Sequence, residues 1–562
     1  MTKGTVKKEK SEEQKLLKKI RETLPTHIVE VEIDMNPKQI KTTNQVLEHC
    51  RLIRNTALGQ AYTRYEQMIR TKKYRKLLQQ YKFVSESLKK EQNKKEIKQL
   101  TKRKKELKKE LTEKQMRFRL TEQDIQDDCD ILRKRFNKAL SVFSQTIKTR
   151  VWQSIEMLLF KDGKGVNFRS KDQYRSFESK QADRTIILKK NDKDQFFVSF
   201  NGMEMLLRFK ENDLFIQETF SNIVHYLENS DSINKENMKL LKVGKPLKST
   251  YRIKYNRIVR KEIRGKYRFY LQVVLEGAPV TKRKKDGTFR HTFGTGVIGG
   301  DIGTQTVAIS SKKAVSLFNL AERTNKKRMQ QIVTLQRELD RSRRKTNPDC
   351  FDKKGRAIQK MQTKSNTYIK KQKQLRNLQR ILAENRKYAH NEKINWIRSL
   401  GDVFNIEQMN IKALQKKAKE TTKNEKTGKY NRKKRFGKSI LNCNPGYFIS
   451  RAKILFEQTG GKVQEVNTWT FKASQYDHKL DDTNKKQLSQ RWHLFEDGTK
   501  VQRDLYSSFL LACADKFLSK PDKQLCDQYF DGFQSLHDEH VKMIISNGKK
   551  IKNSGIDIPT AS

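Results

Sequence analysis

Three things are scarce in this sequence, and each scarcity excludes a class of protein. Paired cysteines are missing: the six in 562 residues (Cys50, Cys129, Cys350, Cys443, Cys513, Cys526) are scattered without one C-x-x-C. That pattern excludes a cysteine zinc ribbon, argues against a disulfide framework, and points to a reducing compartment. Long apolar runs are missing too. None approaches the ~18 residues of a membrane span, and the opening MTKGTVKKEK has no apolar signal core. The expectation is a cytoplasmic protein with no membrane partner. Acids are the third scarcity: 64 Asp and Glu stand against 123 Lys and Arg, a formal charge of +59. That surplus exceeds what solubility needs and points to a polyanion, because each phosphate neutralised releases counterions.

Aromatic residues are plentiful. The 28 Phe, 17 Tyr and 4 Trp supply material for buried cores, so this is no disordered basic tail protein. Residues 1–26 read as a basic flexible tail. HIVEVEIDM alternates in strand fashion, and the chain then turns helical toward residue 60. From 61 to 182 the pattern is helical and very basic: within 71–110, 16 Lys or Arg face 5 Glu. Ile97, Leu100, Leu107 and Leu111 keep the three/four spacing of a packed seam there. Between 183 and 285, TIILKK, QFFVSF, MLLRFK and YRFYLQVVLEG are short, aromatic and β-branched. They predict an all-β module, read here as a barrel, which the early strand can join while the basic helices form an insertion. From 286 onward strand and helix alternate, which predicts an α/β sheet. Its strands fall around 297–320, 402–411 and 462–469, and two long helices fall at about 322–344 and 356–400.

Within this α/β region, VIGGDIGTQTVAIS (297–310) sets an acid inside an apolar strand, where an unpaired charge is costly to bury. Asp301 has two counterparts. Glu407 follows Val403, Phe404 and Ile406 at the end of another apolar run, and Asp504 starts a helix whose other face is Leu505, Phe509, Leu510 and Cys513. Taken singly, an N-terminal aspartate suits a helix dipole and a strand-end glutamate can pair with a lysine. Taken together, three carboxylates converging in a dry cleft repel one another unless divalent cations share them. Hard Mg²⁺ or Mn²⁺ fits such oxygen ligands, and paired ions clamp an in-line displacement at phosphorus. Gly300 and Gly303 are expected to let the backbone approach metal and phosphate closely.

VIGGDIGTQTVAIS, FNIEQMNIKAL (404–414) and GTKVQRDLYSSFLLA (498–512) resemble the three RuvC motifs of the TnpB family and the compact type V CRISPR effectors. Four further segments are similar to that family: QRELDRSRR (336–344), YAHNEKIN around His390, PGYFISRAKILFEQTGGKVQEVN (445–467), and NTALGQA near Asn55. The match is strong over 297–515 and weak before 290. The resemblance implies a multidomain α+β protein with a RuvC, RNase H-like α/β nuclease domain, a β-barrel wedge domain and an inserted helical recognition lobe. The wedge would comprise 27–60 and 183–285, and the lobe 61–182. The nuclease motifs would occupy 286–469 and 499–562, the second of these running into a C-terminal tail.

The implied activity is Mg²⁺-dependent, RNA-guided DNA cleavage in a prokaryotic cytosol or nucleoid, with a guide RNA and target double-stranded DNA as partners. Asp301, Glu407 and Asp504 would be the metal-binding catalytic acids. Arg337, Arg341, Arg343, Arg344 and Lys345 would contact nucleic-acid backbone. Two departures stand out. The family places a zinc ribbon just before the third acid, but here 470–498 is a degenerate segment without cysteine, keeping only His478 and His493. Two histidines without further ligands are read as satisfied polar residues, with no zinc. Tyr506 also replaces the family's common asparagine. Competing readings are a guided repressor that binds without cutting, an integrase-type DNA transposase, and a general RNA-binding protein.

Overall fold

The computed structural model describes residues 11–23, 26–91, 93–136, 141–160, 163–180, 185–210, 213–243, 251–276, 281–284, 286–321, 326–353, 355–361, 363–416, 420–425, 427–428, 430, 436–487, 489–548 and 550–558. Of the basic tail expected over 1–26, residues 1–10, 24 and 25 lie outside them, and 12–23 are helical. The chain divides into two compact units, residues 1–277 and 278–562. No helix among the described residues is long and apolar enough to cross a membrane.

The first unit opens with α1 (Glu12–Thr23) and β1 (Thr26–Ile33), then five helices: α2 (Pro37–Arg70), α3 (Lys72–Lys90), α4 (Lys94–Arg117), α5 (Glu122–Phe136) and α6 (Ser141–Phe160). Asn36 and Gln39 start α2 with a reciprocal capping box. Along α4, Leu107 and Leu111 are buried while the charged face stays exposed, as the seam spacing predicts. Strands β2 (Ser176–Ser179), β3 (Ile186–Lys190), β4 (Phe196–Phe200) and β5 (Met203–Arg208) follow, then α7 (Leu214–Glu228), α8 (Ser230–Lys242), β6 (Ile253–Ile263) and β7 (Lys266–Glu276). Two-residue turns at Asn201–Gly202 and Arg264–Gly265, all at positive φ, close the β4–β5 and β6–β7 hairpins.

The seven strands form one sheet in the order β2-β6-β7-β1-β5-β4-β3, with β1 joined to both β7 and β5. The expected barrel does not close among the described residues. The edge strands β2 and β3 are only four and five residues long, and the curl toward closure is bridged by a side chain, Asn256 Nδ2 donating to Ile186 O at 2.8 Å. Helices α7 and α8 interrupt what the sequence suggested was continuous β structure. The buried face of α7, with Phe220, Ile223 and Val224, packs into the unit's core.

The second unit contains β8 (Val297–Ile302), β9 (Thr306–Ser311), β10 (Val315–Asn319), α9 (Lys326–Thr346), α10 (Asn366–Leu400), β11 (Val403–Glu407), α11 (Ile411–Gln415), α12 (Gly437–Cys443), α13 (Pro445–Glu457) and β12 (Lys462–Val466). It continues with α14 (Thr468–Phe471), the small strands β13 (Tyr476–Asp477), β14 (Asp482–Thr483), β15 (Trp492–Leu494) and β16 (Lys500–Gln502), and helices α15 (Arg503–Ala512) and α16 (Lys523–Ser546). The main sheet runs β10-β9-β8-β11-β12, with β8, β11 and β12 parallel and β9 antiparallel to both its neighbours. Ile298, Val307, Phe404 and Ile406 face one core, shared with α10 and α13. The opposite face packs on α15, in the core that Phe509, Phe530 and Phe533 dominate. The sheet is thus the middle of three layers.

Candidate active site

Asp301 and Glu407 owe their placement to strand parity. Gly299 pairs with Asn405 and Gly300 with Ile406 across parallel β8 and β11. Two residues beyond the first pair, Asp301 and Glu407 occupy neighbouring positions on one face, at the carboxyl ends of the strands. Open α/β sheets bind ligands at that end. Asp504 comes from α15. A methyl group on Gly299 would lie 1.9 Å from Ser508 O and 2.4 Å from Ala512 N, so the helix rests directly on the strand backbone there. From Ser508 back to Asp504 is one turn, about 6 Å. From Gly299 forward to Asp301 is about 6.6 Å. The helix start therefore arrives over the strand end.

Neutral residues that the sequence reading missed hold this arrangement. Asn405 Nδ2, buried, donates to Leu511 O at 3.0 Å and ties β11 to α15. Gln502 is fully buried and accepts from Leu505 N–H at 2.8 Å, capping α15. Its own N–H donates to His537 Nε2 at 2.9 Å, and its Nε2 donates to Ser554 O at 3.1 Å. His537 Nδ1 lies 2.8 Å from Asp538, which fixes the tautomer with the proton on Nδ1. The glycines do something other than expected. Gly300 makes room for the Phe404 ring, and Gly303 sits in the β8–β9 turn against Thr306.

Burial first, then the charges of Asp504 and Glu407, push the Asp301 carboxyl well above the ordinary aspartate range, and Arg503 opposes them. Burial lifts Glu407 to about 6. Among the described residues neither carboxylate has a hydrogen-bond or ion-pair partner. Asp504 has the Arg503 guanidinium 3.5 Å away, and Arg503 NH1 is anchored to Gln490 O at 2.9 Å. The three acids thus share one electrostatic field, yet no three acid, histidine or cysteine side chains among the described residues are placed to hold a metal ion. The donor set itself is all carboxylate oxygen, which fits hard divalent cations. A cation would also supply the positive partner that Asp301 and Glu407 lack.

The segment without zinc cysteines is built around Tyr506. His478 N–H donates to the Tyr506 hydroxyl at 3.0 Å, and His478 Nδ1 lies 2.7 Å from the same oxygen. The His493 ring stacks on Tyr506, centroids 4.8 Å apart and 9° from parallel. His493 Nδ1 meets Lys486 Nζ, and its Nε2 lies 2.9 Å from Asp477 Oδ2, off the line of an aligned hydrogen bond. Phe495, Phe509 and Phe530 surround the His478 imidazole, and Phe495 also meets the His493 ring edge-on. Both histidines are therefore engaged with protein, in an aromatic cluster around Tyr506.

Burial drives His390, 1 % exposed, down to about 4, and lowers His478, His493, His537 and His540 as well. Unfolded histidine titrates near 6.5, so stability present above pH 6.5 is lost as pH falls toward 4. His390 alone accounts for up to about 3 kcal/mol. The melting temperature of the second unit is expected to drop steeply between pH 6.5 and 4.5, and a flat profile there refutes this.

Of the five cations expected to meet nucleic acid, Arg337, Arg341, Arg344 and Lys345 are exposed on α9, and Arg343 is half-buried. Arg343 and Arg344 pack over the Phe351 ring, 4.9 and 5.2 Å from its centre, and Arg344 is also paired with Asp340 at 2.8 Å. Trp469 was not anticipated. It is 87 % exposed in α14, just after β12, whose Val466 pairs with Glu407.

No family model and no curated protein matches the chain. Among solved structures the chain is similar to a Cas12f1–sgRNA–target DNA complex at 10 % identity and TM-score 0.40, covering 85 % of this chain and 83 % of that one. It is also similar to the Cas12i1 R-loop complex before target DNA cleavage, at 12 % identity and TM-score 0.25, covering 90 % of this chain and 65 % of that one. The same complex after cleavage aligns at 10 % identity and TM-score 0.24, with 90 % and 65 % covered.

Proposed function

We propose that the chain is an RNA-guided DNA endonuclease of the RuvC type, with Asp301, Glu407 and Asp504 as its catalytic acids. One observation carries the reading: β8, β11 and α15, 203 residues apart at the extremes (504 − 301), bring three motif acids into one field at the carboxyl end of a mixed sheet. The sequence resemblance supplies the guide RNA and the DNA target. Asp301, Glu407 and Asp504 would hold Mg²⁺ or Mn²⁺. When bound, such an ion acidifies water and stabilises charge developing at phosphorus.

The chain's own residues set the conditions. Glu407 ionises above about pH 6 and is then able to attract a cation. Arg503, pinned by Gln490, keeps the Asp504 carboxylate oriented beside them. The exposed Trp469 indole offers a stacking face for a base next to the site, worth about 1–3 kcal/mol in comparable proteins. The exposed cations of α9 give a strand's phosphates a surface to follow.

The test is to purify the chain co-expressed with its flanking DNA, sequence any RNA it retains, and supply a matched duplex with and without Mg²⁺. Retention of a specific RNA and Mg²⁺-dependent cutting of the matched duplex alone are expected. Specific RNA without cutting establishes the guided repressor instead. An absence of specific RNA removes the guided reading.

A further inference from the structure

The amino-terminal unit holds a cavity of about 520 Å³ where α2 and α6 meet the segment leading into β2. Arg54, Arg150, Arg169 and Arg175 line it, with Gln173 and Tyr174 among the neutral walls and no acid. Arg54 is 8 % exposed, and its guanidinium donates only to neutral acceptors, Asn55 Oδ1 at 3.1 Å and Asn167 O at 3.2 Å. Arg175 Nε likewise donates to a carbonyl, Asp172 O at 2.8 Å. Arg150 has a carboxylate, Glu178 at 3.0 Å, but that acid is shared with Arg257 at 2.6 Å. Arg169 is exposed, and among the described residues its side chain has no partner. Burial, with Arg169 and Arg150 as like charges, lowers the Arg54 pKa.

Arginine is rarely buried without a counter-charge, and an uncompensated one costs several kcal/mol. Carbonyl and amide oxygens satisfy its hydrogen bonds without cancelling its charge. Phosphate does both, accepting two parallel bonds from one guanidinium. The volume exceeds what a lone phosphate needs and falls within the ~300–1,000 Å³ range of sites that enclose a small ligand. Glutamine amides in the wall suit the polar edge of a base or a ribose hydroxyl.

We propose that this cavity seats one nucleotide of a single-stranded RNA, with its phosphodiester group held between Arg54 and Arg169. The choice of RNA as carrier rests on the guided reading above; the phosphate chemistry does not.

The experiment uses the full chain and a fluorescent single-stranded RNA, with anisotropy read across a salt series. Arg54→Gln keeps a two-donor amide in the wall and removes the charge. Arg169→Ala removes a side chain that holds nothing else in place. Each is expected to weaken binding about tenfold and to reduce the slope of log K against log salt by about 0.7, one phosphate contact on a single strand. Melting temperature should stay unchanged for Arg169→Ala. Wild-type affinity and slope in both variants overturn the site while leaving the guided reading intact. A wild-type chain that binds no RNA overturns the guided reading itself. A loss seen with single-stranded DNA of the same sequence but not with RNA overturns the assignment to RNA.

Discussion

Asp301→Asn is expected to reduce cleavage of matched DNA by about 10³-fold while raising the melting temperature of the cation-free chain. The first effect follows from removing a central ligand charge: a bound divalent ion contributes several kcal/mol to phosphoryl chemistry, and about 4 kcal/mol is a thousandfold. The second follows from the electrostatics. The Asp301 carboxyl is raised by burial and by Asp504 and Glu407, so the folded state holds its proton more tightly than the unfolded chain. That stabilisation is full below the ordinary aspartate pKa and is lost as pH rises through the folded value. Above the ordinary aspartate pKa, burial of this carboxyl beside two other acids therefore works against folding, and a neutral isostere relieves that penalty. For a unit of this size each kcal/mol shifts melting by about 2–4 °C. Calorimetry in chelator and cleavage in Mg²⁺ check the two halves separately. RNA and target binding should persist, because charge and base pairing carry them. A variant that cuts at the wild-type rate removes Asp301 from the site, and one that melts lower removes the repulsion argument.

Gly299→Ala is the second large effect, and it touches no charged group. The new methyl would meet the Ser508 carbonyl oxygen at 1.9 Å and the Ala512 nitrogen at 2.4 Å, both backbone atoms that cannot rotate aside. Helix α15 must lift off β8, carrying Asp504 with it and straining the Asn405–Leu511 bond. Overpacking of this kind costs about 1–3 kcal/mol or more, and the displaced acid should lower cleavage at least 10²-fold, as about 1 Å of misplacement does elsewhere. Gly303→Ala is the matched control. Its methyl comes no closer than 3.3 Å to Thr306, an adjustment of tenths of an ångström. Equal behaviour of the two variants in melting and cleavage would falsify the packing account.

The acids were legible in the sequence because each breaks a local rule: Asp301, Glu407 and Asp504 are charged where their neighbours build a core. The sheet was legible as alternating strand and helix. What positions the acids was not. Asn405 and Gln502 are neutral, and each ties the site to a partner more than thirty residues away, Leu511 in one case and His537 in the other. Gly299 and Gly300 were visible as glycines, but one faces a helix and the other a phenylalanine, and only coordinates tell those faces apart. In the first unit the hydrophobic pattern identified strands but could not count them to closure, since closure depends on edge length and curl. The stretch that forms α7 and α8 lies between β-branched, aromatic segments that carry the strand pattern. The arginine cavity was invisible for the same reason as Gln502: Arg54 and Arg169 are 115 residues apart (169 − 54).

The crossing of α15 over β8 also governs when the protein can act during its own synthesis. Asp301 leaves the ribosome 203 residues before Asp504 (504 − 301). At about 5–20 residues per second that is a delay of about 10–40 s. Throughout it, β8 and β11 have no helix on their acid face, and the Gln502 contacts to α16 and Ser554 come later still. In a nascent or prematurely terminated chain lacking α15, the three acids therefore cannot come together, whatever β8 and β11 have already formed.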